Sequence, residues 1–164
     1  MIKVSVILTT YNSENQIQEV IDSILNQEGR DELFELELLV VDDCSTDATQ
    51  TILFKNNIDF QFTSKNTGGP NHGRNIALSM CTGNYICIAD HDDIWFSNKI
   101  IQLLAVVDLA PIISSGYILS DKSLSKKVSR VKNSVDNAGY ILYEKNATFI
   151  SKLTKSKVGQ QTYL

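Results

Sequence analysis

No run of about 18 apolar residues occurs in this chain, so no segment reads as a membrane-spanning helix. Met1-Ile2-Lys3-Val4 leads straight into strand-like sequence rather than into a signal peptide. There is no disulfide framework either. Cys44, Cys81 and Cys87 are odd in number and lack metal-ligand spacing, so they are expected as thiols, with Cys81 and Cys87 buried in helix and strand. Two phosphate-binding signatures are missing: no G-x-G-x-x-G follows the first strand, and no Gly-Lys-Ser/Thr follows the later glycines. Internal repeats and low-complexity segments are absent as well. Residues 1–120 are poor in positive charge, with 6 Lys and Arg against 16 Asp and Glu. That balance argues against nucleic acid as a partner.

What is present describes one globular domain. The 164 residues are 43% hydrophobic and 21% charged, enough to build a real core. The net charge of −4 hides a split, because residues 121–164 carry 9 Lys and Arg against 3 Asp and Glu. The basic segment 122–157 reads as a solvated Lys-rich surface, with a peripheral membrane contact as the alternative.

The stretch Tyr85-Ile86-Cys87-Ile88-Ala89 reads as a strand buried on both faces, in the middle of a parallel sheet. It stops at Asp90, Asp92 and Asp93. Open α/β sheets place ligands at the carboxyl ends of their strands, and a Mg²⁺ or Mn²⁺ ion would relieve the repulsion among three carboxylates there. An acidic turn in water is the plain alternative.

Along the chain, Val4 to Leu8 forms the first strand, and Asn12 or Ser13 is placed to cap the helix that follows. Ile17, Val20, Ile21, Ile24 and Leu25 recur at helical spacing, and Gly29 is expected to end that helix. A second strand, from about 34 to 41, ends in Asp42-Asp43. Cys44 to Asp47 supplies a turn and a cap. Ile58, Phe60 and Phe62 alternate as a third strand nearer the sheet edge. The loop Ser64 to Pro70 lets backbone approach a ligand through Gly68 and Gly69. A helix from near Asn71 carries His72, Arg74 and Asn75. His72 reads as a helix-surface residue. A helix over 98–107 and a fifth strand over 112–119 follow, then a basic loop over 123–137 and two short strands at 140–143 and 148–150. This alternation predicts an α/β fold with a mostly parallel central sheet and helices on both faces.

Four polar clusters then converge on one crevice: Thr9 to Asn12, Asp42-Asp43, Lys65 to Arg74 and Asp90 to Asp93. The chemistry they suggest is nucleotide binding with a metal on the phosphates. A carboxylate can accept from a base or a ribose hydroxyl, a tyrosine can stack, and Arg74 can contact a diphosphate oxygen.

Four motifs in order carry a resemblance: Val4-Ser5-Val6-Ile7-Leu8-Thr9-Thr10-Tyr11-Asn12, Val40-Val41-Asp42-Asp43-Cys44-Ser45-Thr46-Asp47, Gly73-Arg74-Asn75 and Asp90-His91-Asp92-Asp93. Together they resemble the nucleotide-sugar-binding half of the family 2 glycosyltransferases, over residues 1 to about 120. A fainter echo, Asn146 to Lys152 through Val158-Gly159, is similar to the segment leading into that family's acceptor region.

The resemblance implies a three-layer α/β/α domain of the GT-A type. Residues 1–120 would bind the donor, and 121–164 would be an incomplete acceptor-side part. It implies that Thr9 and Tyr11 line the base pocket, that Asp42 hydrogen-bonds the base, and that Arg74 faces the nucleotide or its diphosphate. Asp90 would sit near the ribose, and Asp92, with Asp90 near it, would bind Mn²⁺ or Mg²⁺. Asn12, Asp43, Asn66, Gly69 and Asn75 complete the expected nucleotide-sugar site, and His91 is a spacer. The implied activity is inverting transfer from a nucleoside-diphosphate sugar, a UDP-sugar by preference, to a saccharide or lipid-linked acceptor in polysaccharide synthesis. The expected setting is the cytoplasm or the inner face of the membrane.

One departure stands out. The family's general base follows the segment echoed by Val158-Gly159, and the later carboxylates Asp108, Asp121, Asp136 and Glu144 do not match it, so the base is expected beyond Leu164. A chain lacking that part would expose surface, which makes self-association a further expectation. Two rival classes are a nucleotidyltransferase and a non-catalytic nucleotide-binding module.

Overall fold

The computed structural model describes residues 1–113, residue 115, and the backbone of 118–120 and 127–129. The chain runs β1 (Ile2–Thr10), α1 (Ile17–Leu25), β2 (Phe34–Asp42), α2 (Thr49–Lys55), β3 (Phe60–Phe62), α3 (Pro70–Met80), β4 (Tyr85–Asp90), α4 (Lys99–Leu104), a 3-10 turn at Val107–Leu109, β5 (Ile118–Ser120) and β6 (Lys127–Ser129). The first four strands pair in parallel in the order β3-β2-β1-β4. Strand order therefore reverses between β1 and β4, and at that switch point the carboxyl ends of an open sheet leave a crevice.

The two faces of β1 are covered by different helices, because successive side chains alternate. Val4, Val6 and Leu8 pack with Ile17, Val20, Ile21 and Ile24 of α1, Leu53 of α2, and Ile100 and Leu103 of α4. Ile7 points the other way, to Val41 of β2 and Ala77 of α3. The domain is thus a three-layer α/β/α arrangement. Each aliphatic side chain so buried contributes roughly 1.5–3 kcal/mol of transfer free energy. Among the described residues no helix is long and apolar enough to cross a membrane.

Several boundaries depart from the sequence reading. Helix α1 ends at Leu25 with Asn26 as its cap, and Gly29 instead takes a positive φ of 75° in the turn that follows. Its carbonyl accepts from the backbone N–H groups of Glu32 and Leu33 there. Neither Asn12 nor Ser13 caps α1 with its side chain: Gln16 holds that position, and the Ser13 carbonyl accepts from the Gln16 and Ile17 backbones. β3 is short and lies at the sheet edge as expected, but Ile58 falls outside it. β4 is not central among the described residues, since β1 is its only neighbour, and Tyr85, Ile86 and Ile88 stay half-buried. Cys87 is buried; Cys81 lies just past α3 and is half-buried. Residues 112 and 113 are not strand; β5 is Ile118–Ser120 and pairs antiparallel with β6, which falls within the expected basic loop. The short strands expected at 140–143 and 148–150, and the acceptor-like echo at 146–159, lie outside the described residues.

The amino end of the sheet is locked by a polar cluster. Glu37 of β2 pairs with Lys3 at 2.8 Å and accepts from the Ser5 hydroxyl and from the Thr82 backbone and hydroxyl. Gly83 donates to the Ser5 hydroxyl, and a Cβ at Gly83 would lie 2.7 Å from the Ser5 backbone nitrogen and 2.8 Å from the Lys3 carbonyl. Only glycine lets β4 enter the sheet here.

Two outcomes follow. Gly83→Ala is expected to cost roughly 1–3 kcal/mol of stability, read as a lower urea midpoint. Burial works against the Glu37 charge, but Lys3, Ser5 and Thr82 outweigh it and pull its pKa from 4.5 to about 2. A carboxylate depressed in the fold stabilises above its unfolded pKa, and that stability is lost as pH falls through the folded value. The urea midpoint should therefore drop between pH 4.5 and about 2, and Glu37→Gln should remove that part of the drop.

Candidate functional site

Parallel register sets the geometry at the carboxyl edge. Thr9 lies opposite Asp90 of β4 on one side and Val41 of β2 on the other, and Thr10 lies opposite Asp42. Thr9 faces α3, where Gly73 lets the helix approach: a Cβ there would stand 3.0 Å from the Thr9 methyl and 3.3 Å from Val41. One residue later on α3, Arg74 reaches the Asp90 carboxylate at 2.5 Å, both side chains being mostly buried. The Arg74 Nε is buried with no hydrogen-bond partner among the described residues. The Arg30 Nε, away from this edge, is in the same state. Arg74 also borders a groove of about 470 Å³ between α3 and the sheet, with Ile7, Ile86 and Ile88 on the sheet side and Asn71, Asn75 and Leu78 on the helix side.

The two carboxylates after β2 have different surroundings. Asp42 has no exposed surface. It accepts from the Ser45 backbone at 2.9 Å, from the Ser45 hydroxyl, and from Gln50 at 2.6 Å. Asp43 keeps 6% exposure and accepts from Thr63, from the Thr67 hydroxyl, and from the Thr67 backbone at 2.9 Å. Burial raises the Asp43 pKa, but the Thr67 and Thr63 hydrogen bonds and the nearby His72 lower it further. Asp43 thereby ties the Gly68-Gly69 loop to the sheet. Asp47 serves α2, accepting from the backbone and hydroxyl of Thr49.

The other expected residues are spread around this edge. Tyr11 is 40% exposed. Asn12 takes a left-handed φ of 47° and accepts from the Thr46 backbone. Asn66 accepts from the Gly68 backbone, and Gly69 stands in open space just before α3. Asn75 and Asp92 are exposed, and Asp93 is half-buried. Trp95 is core, with Lys99 4.9 Å above its ring. Thr9, Arg74 and Asp90 are brought into direct proximity. Among the described residues, no group of three His, Cys, Asp or Glu side chains could by itself hold a metal ion. The holding residues Ser45, Gln50, Thr63 and Thr67 were not singled out from sequence, although an Asp followed three positions later by Ser, as in Asp42 and Ser45, is a known local hydrogen-bonding signal.

The family model for glycosyl transferase family 2 matches residues 5–156. The chain belongs to that family. The match sets aside the nucleotidyltransferase reading. The chain is 40% identical over 97 residues to the poly(ribitol-phosphate) beta-N-acetylglucosaminyltransferase TarS of Staphylococcus aureus, covering 57% of this chain and 17% of TarS. A crystal structure of TarS 1-349 with UDP-GlcNAc superposes with a TM-score of 0.59 at 35% identity, over 68% of this chain and 33% of that one. The mannosyltransferase PcManGT of Pyrobaculum calidifontis, in complex with GDP-Man and Mn²⁺, gives a TM-score of 0.59 at 27% identity, over 72% of this chain and 35% of that one. The chain thus spans about a third or less of these glycosyltransferases.

Burial, with the negative charges of Asp92 and Asp90 close by, pushes Asp93 up to about 6. A raised carboxylate pKa means that stability is lost as pH rises from the unfolded value through the folded one. Asp93→Asn should accordingly raise the urea midpoint near neutral pH and change it little at about pH 3.5. Carboxyl NMR of the parent should place the Asp93 titration near 6.

Proposed function

We propose that this chain is the donor-binding part of a glycosyltransferase, holding a nucleoside-diphosphate sugar with a divalent cation. The observation that carries this reading is the Arg74–Asp90 pair beside Thr9 at the switch point, with an unsatisfied guanidinium N–H. Arg74 would donate to the nucleotide or its diphosphate. Asp90 would accept from the ribose. Thr9 and Tyr11 would border the base, with Asn12 shaping that loop. Of the β2 pair, both buried, Asp43 at 6% exposure is assigned to the nucleotide side, and Asp42 at 0%, expected on the base, is here assigned a role within the protein instead. Asn66, Gly69 and Asn75 would line the α3 side. The amino end of α3, an 11-residue helix, adds a partial positive charge toward an anionic ligand.

The donor set suits a hard cation, since Asp92 and Asp90 offer carboxylate oxygens only. Among the described residues no three-residue metal cluster occurs, and such a cation would take diphosphate oxygens and water beside these carboxylates. When bound, Mn²⁺ or Mg²⁺ would neutralise charge on the departing diphosphate. Support comes from TarS, solved with UDP and with UDP-GlcNAc, and from PcManGT with GDP-Man and Mn²⁺. A UDP-sugar is therefore the favoured donor. The reaction would be inverting transfer to a saccharide or lipid-linked acceptor in polysaccharide synthesis, in the cytoplasm or at the inner membrane face.

No residue of this chain is assigned as general base. Asp108 sits on the 3-10 turn, and Asp121, Asp136 and Glu144 lie outside the described residues. Donor binding should therefore be separable from transfer. Calorimetry is expected to show UDP binding that depends on Mn²⁺, and sugar transfer by this chain alone should be poor. Asp92→Ala should abolish the metal dependence without unfolding the chain. Equal UDP affinity with and without Mn²⁺ would overturn the metal assignment, and no UDP binding at all would overturn the donor-site reading.

A further inference from the structure

We infer that Ser45 and Asp42 are positioning residues, forming a bridge that sets where the Tyr11–Asn12 loop stands. The inference rests on the donor-site reading for its ligand. Both oxygens of Asp42 have donors within the protein, as those of Asp43 do, but Asp42 alone of the two has no exposed surface, so its part is to organise those donors. A charge so buried is tolerated only when fully hydrogen-bonded.

Ser45 is the two-sided part of the bridge. Its hydroxyl donates to Asp42 and accepts from the Asn12 backbone N–H at 2.9 Å, which uses one donor and one lone pair of the same oxygen. Asn12 answers in the other direction, accepting from the Thr46 backbone at 2.8 Å. The peptide between Tyr11 and Asn12 is thus clamped to the 45–46 segment, with Asn12 at a positive φ of 47°. The clamp continues at the next residues. The Ser13 backbone N–H donates to the Thr49 hydroxyl at 2.8 Å, the Glu14 backbone N–H donates to the Asp47 carboxylate at 3.1 Å, and the Glu14 carboxylate accepts from the Ala48 backbone at 2.9 Å. The loops after β1 and β2 are one hydrogen-bonded unit. Tyr11, left 40% exposed, is carried on this unit. Gln50 provides a contrast, because it donates to Asp42 but its hydrogen bond reaches no residue of the β1 loop.

A positioning role differs from mere stabilisation in its coupling to Tyr11. UDP with Mn²⁺ is titrated into the full chain, the variants Ser45→Ala, Ser45→Thr, Gln50→Leu and Tyr11→Ala, and the Ser45→Ala/Tyr11→Ala double variant. Ser45→Ala should weaken UDP binding about tenfold, as expected for one or two lost hydrogen bonds. Ser45→Thr should restore it, Gln50→Leu should change it less than about threefold, and Ser45→Ala should have little further effect once Tyr11 is alanine. Losses that multiply independently, or a Gln50→Leu loss equal to that of Ser45→Ala, would overturn the inference. A ligand-free readout stands beside this. The Asn12 amide should exchange with solvent about tenfold faster in Ser45→Ala while the Val6 amide of β1 is unchanged. Unchanged Asn12 exchange would also overturn it. Absence of UDP binding by the parent would count against the donor site, and amide exchange would still decide the bridge.

Discussion

The in-register parallel pairing of β2, β1 and β4 is the constraint on which the rest depends. It puts Thr9 beside Asp90 and Thr10 beside Asp42. A slip of one residue would turn Thr9 away from α3 and set it opposite Ala89, because side chains alternate faces along a strand. The register is held from both sides. Val4, Val6 and Leu8 require one face, and Ile7, with Ser5 and its hydrogen bond to Glu37, requires the other.

The two ends of the sheet divide the work. At the amino end, Lys3, Ser5, Glu37, Thr82 and Gly83 satisfy one another, and their chemistry is spent on the fold. The carboxyl end is less closed on itself among the described residues. The Arg74 Nε has none among the described residues, Asp92 is exposed, and Asp93 is kept partly out of water beside two other carboxylates. An edge that concentrates negative charge and leaves a cation incompletely paired is poorly self-satisfied. A ligand bearing both phosphate oxygens and a bound cation would compensate both.

That edge is also rigidly framed. The β1 and β2 loops are joined through Asn12, Ser45, Thr46, Glu14, Asp47 and Thr49, and Asp43 ties in the glycine loop through Thr67. Gly73 brings α3 close enough for Arg74 to reach Asp90. Such framing is what a site on loops requires, since its side chains must be held by neighbours rather than by secondary structure.

The layers, and the edge where they converge, are legible in the order of residues alone. Strand-like runs ending in Thr9, Asp42 and Asp90, alternating with the periodic faces of α1 and α3, suffice for that, because period and burial are local signals. The sequence also singled out Arg74 and the order of the family motifs. Tertiary structure alone decided which carboxylate turns inward. Asp42 and Asp43 are adjacent and chemically alike, and only the strand's alternation and the arrival of Ser45, Gln50, Thr63 and Thr67 separate them. It likewise decided that Asn12 clamps a neighbouring loop instead of capping α1, and that Gly29 shapes a turn instead of ending a helix. The partners of Asn12 lie more than 30 positions away. A hydrogen bond between segments that distant leaves no periodicity in the sequence, so its existence is settled only when packing brings the two loops together.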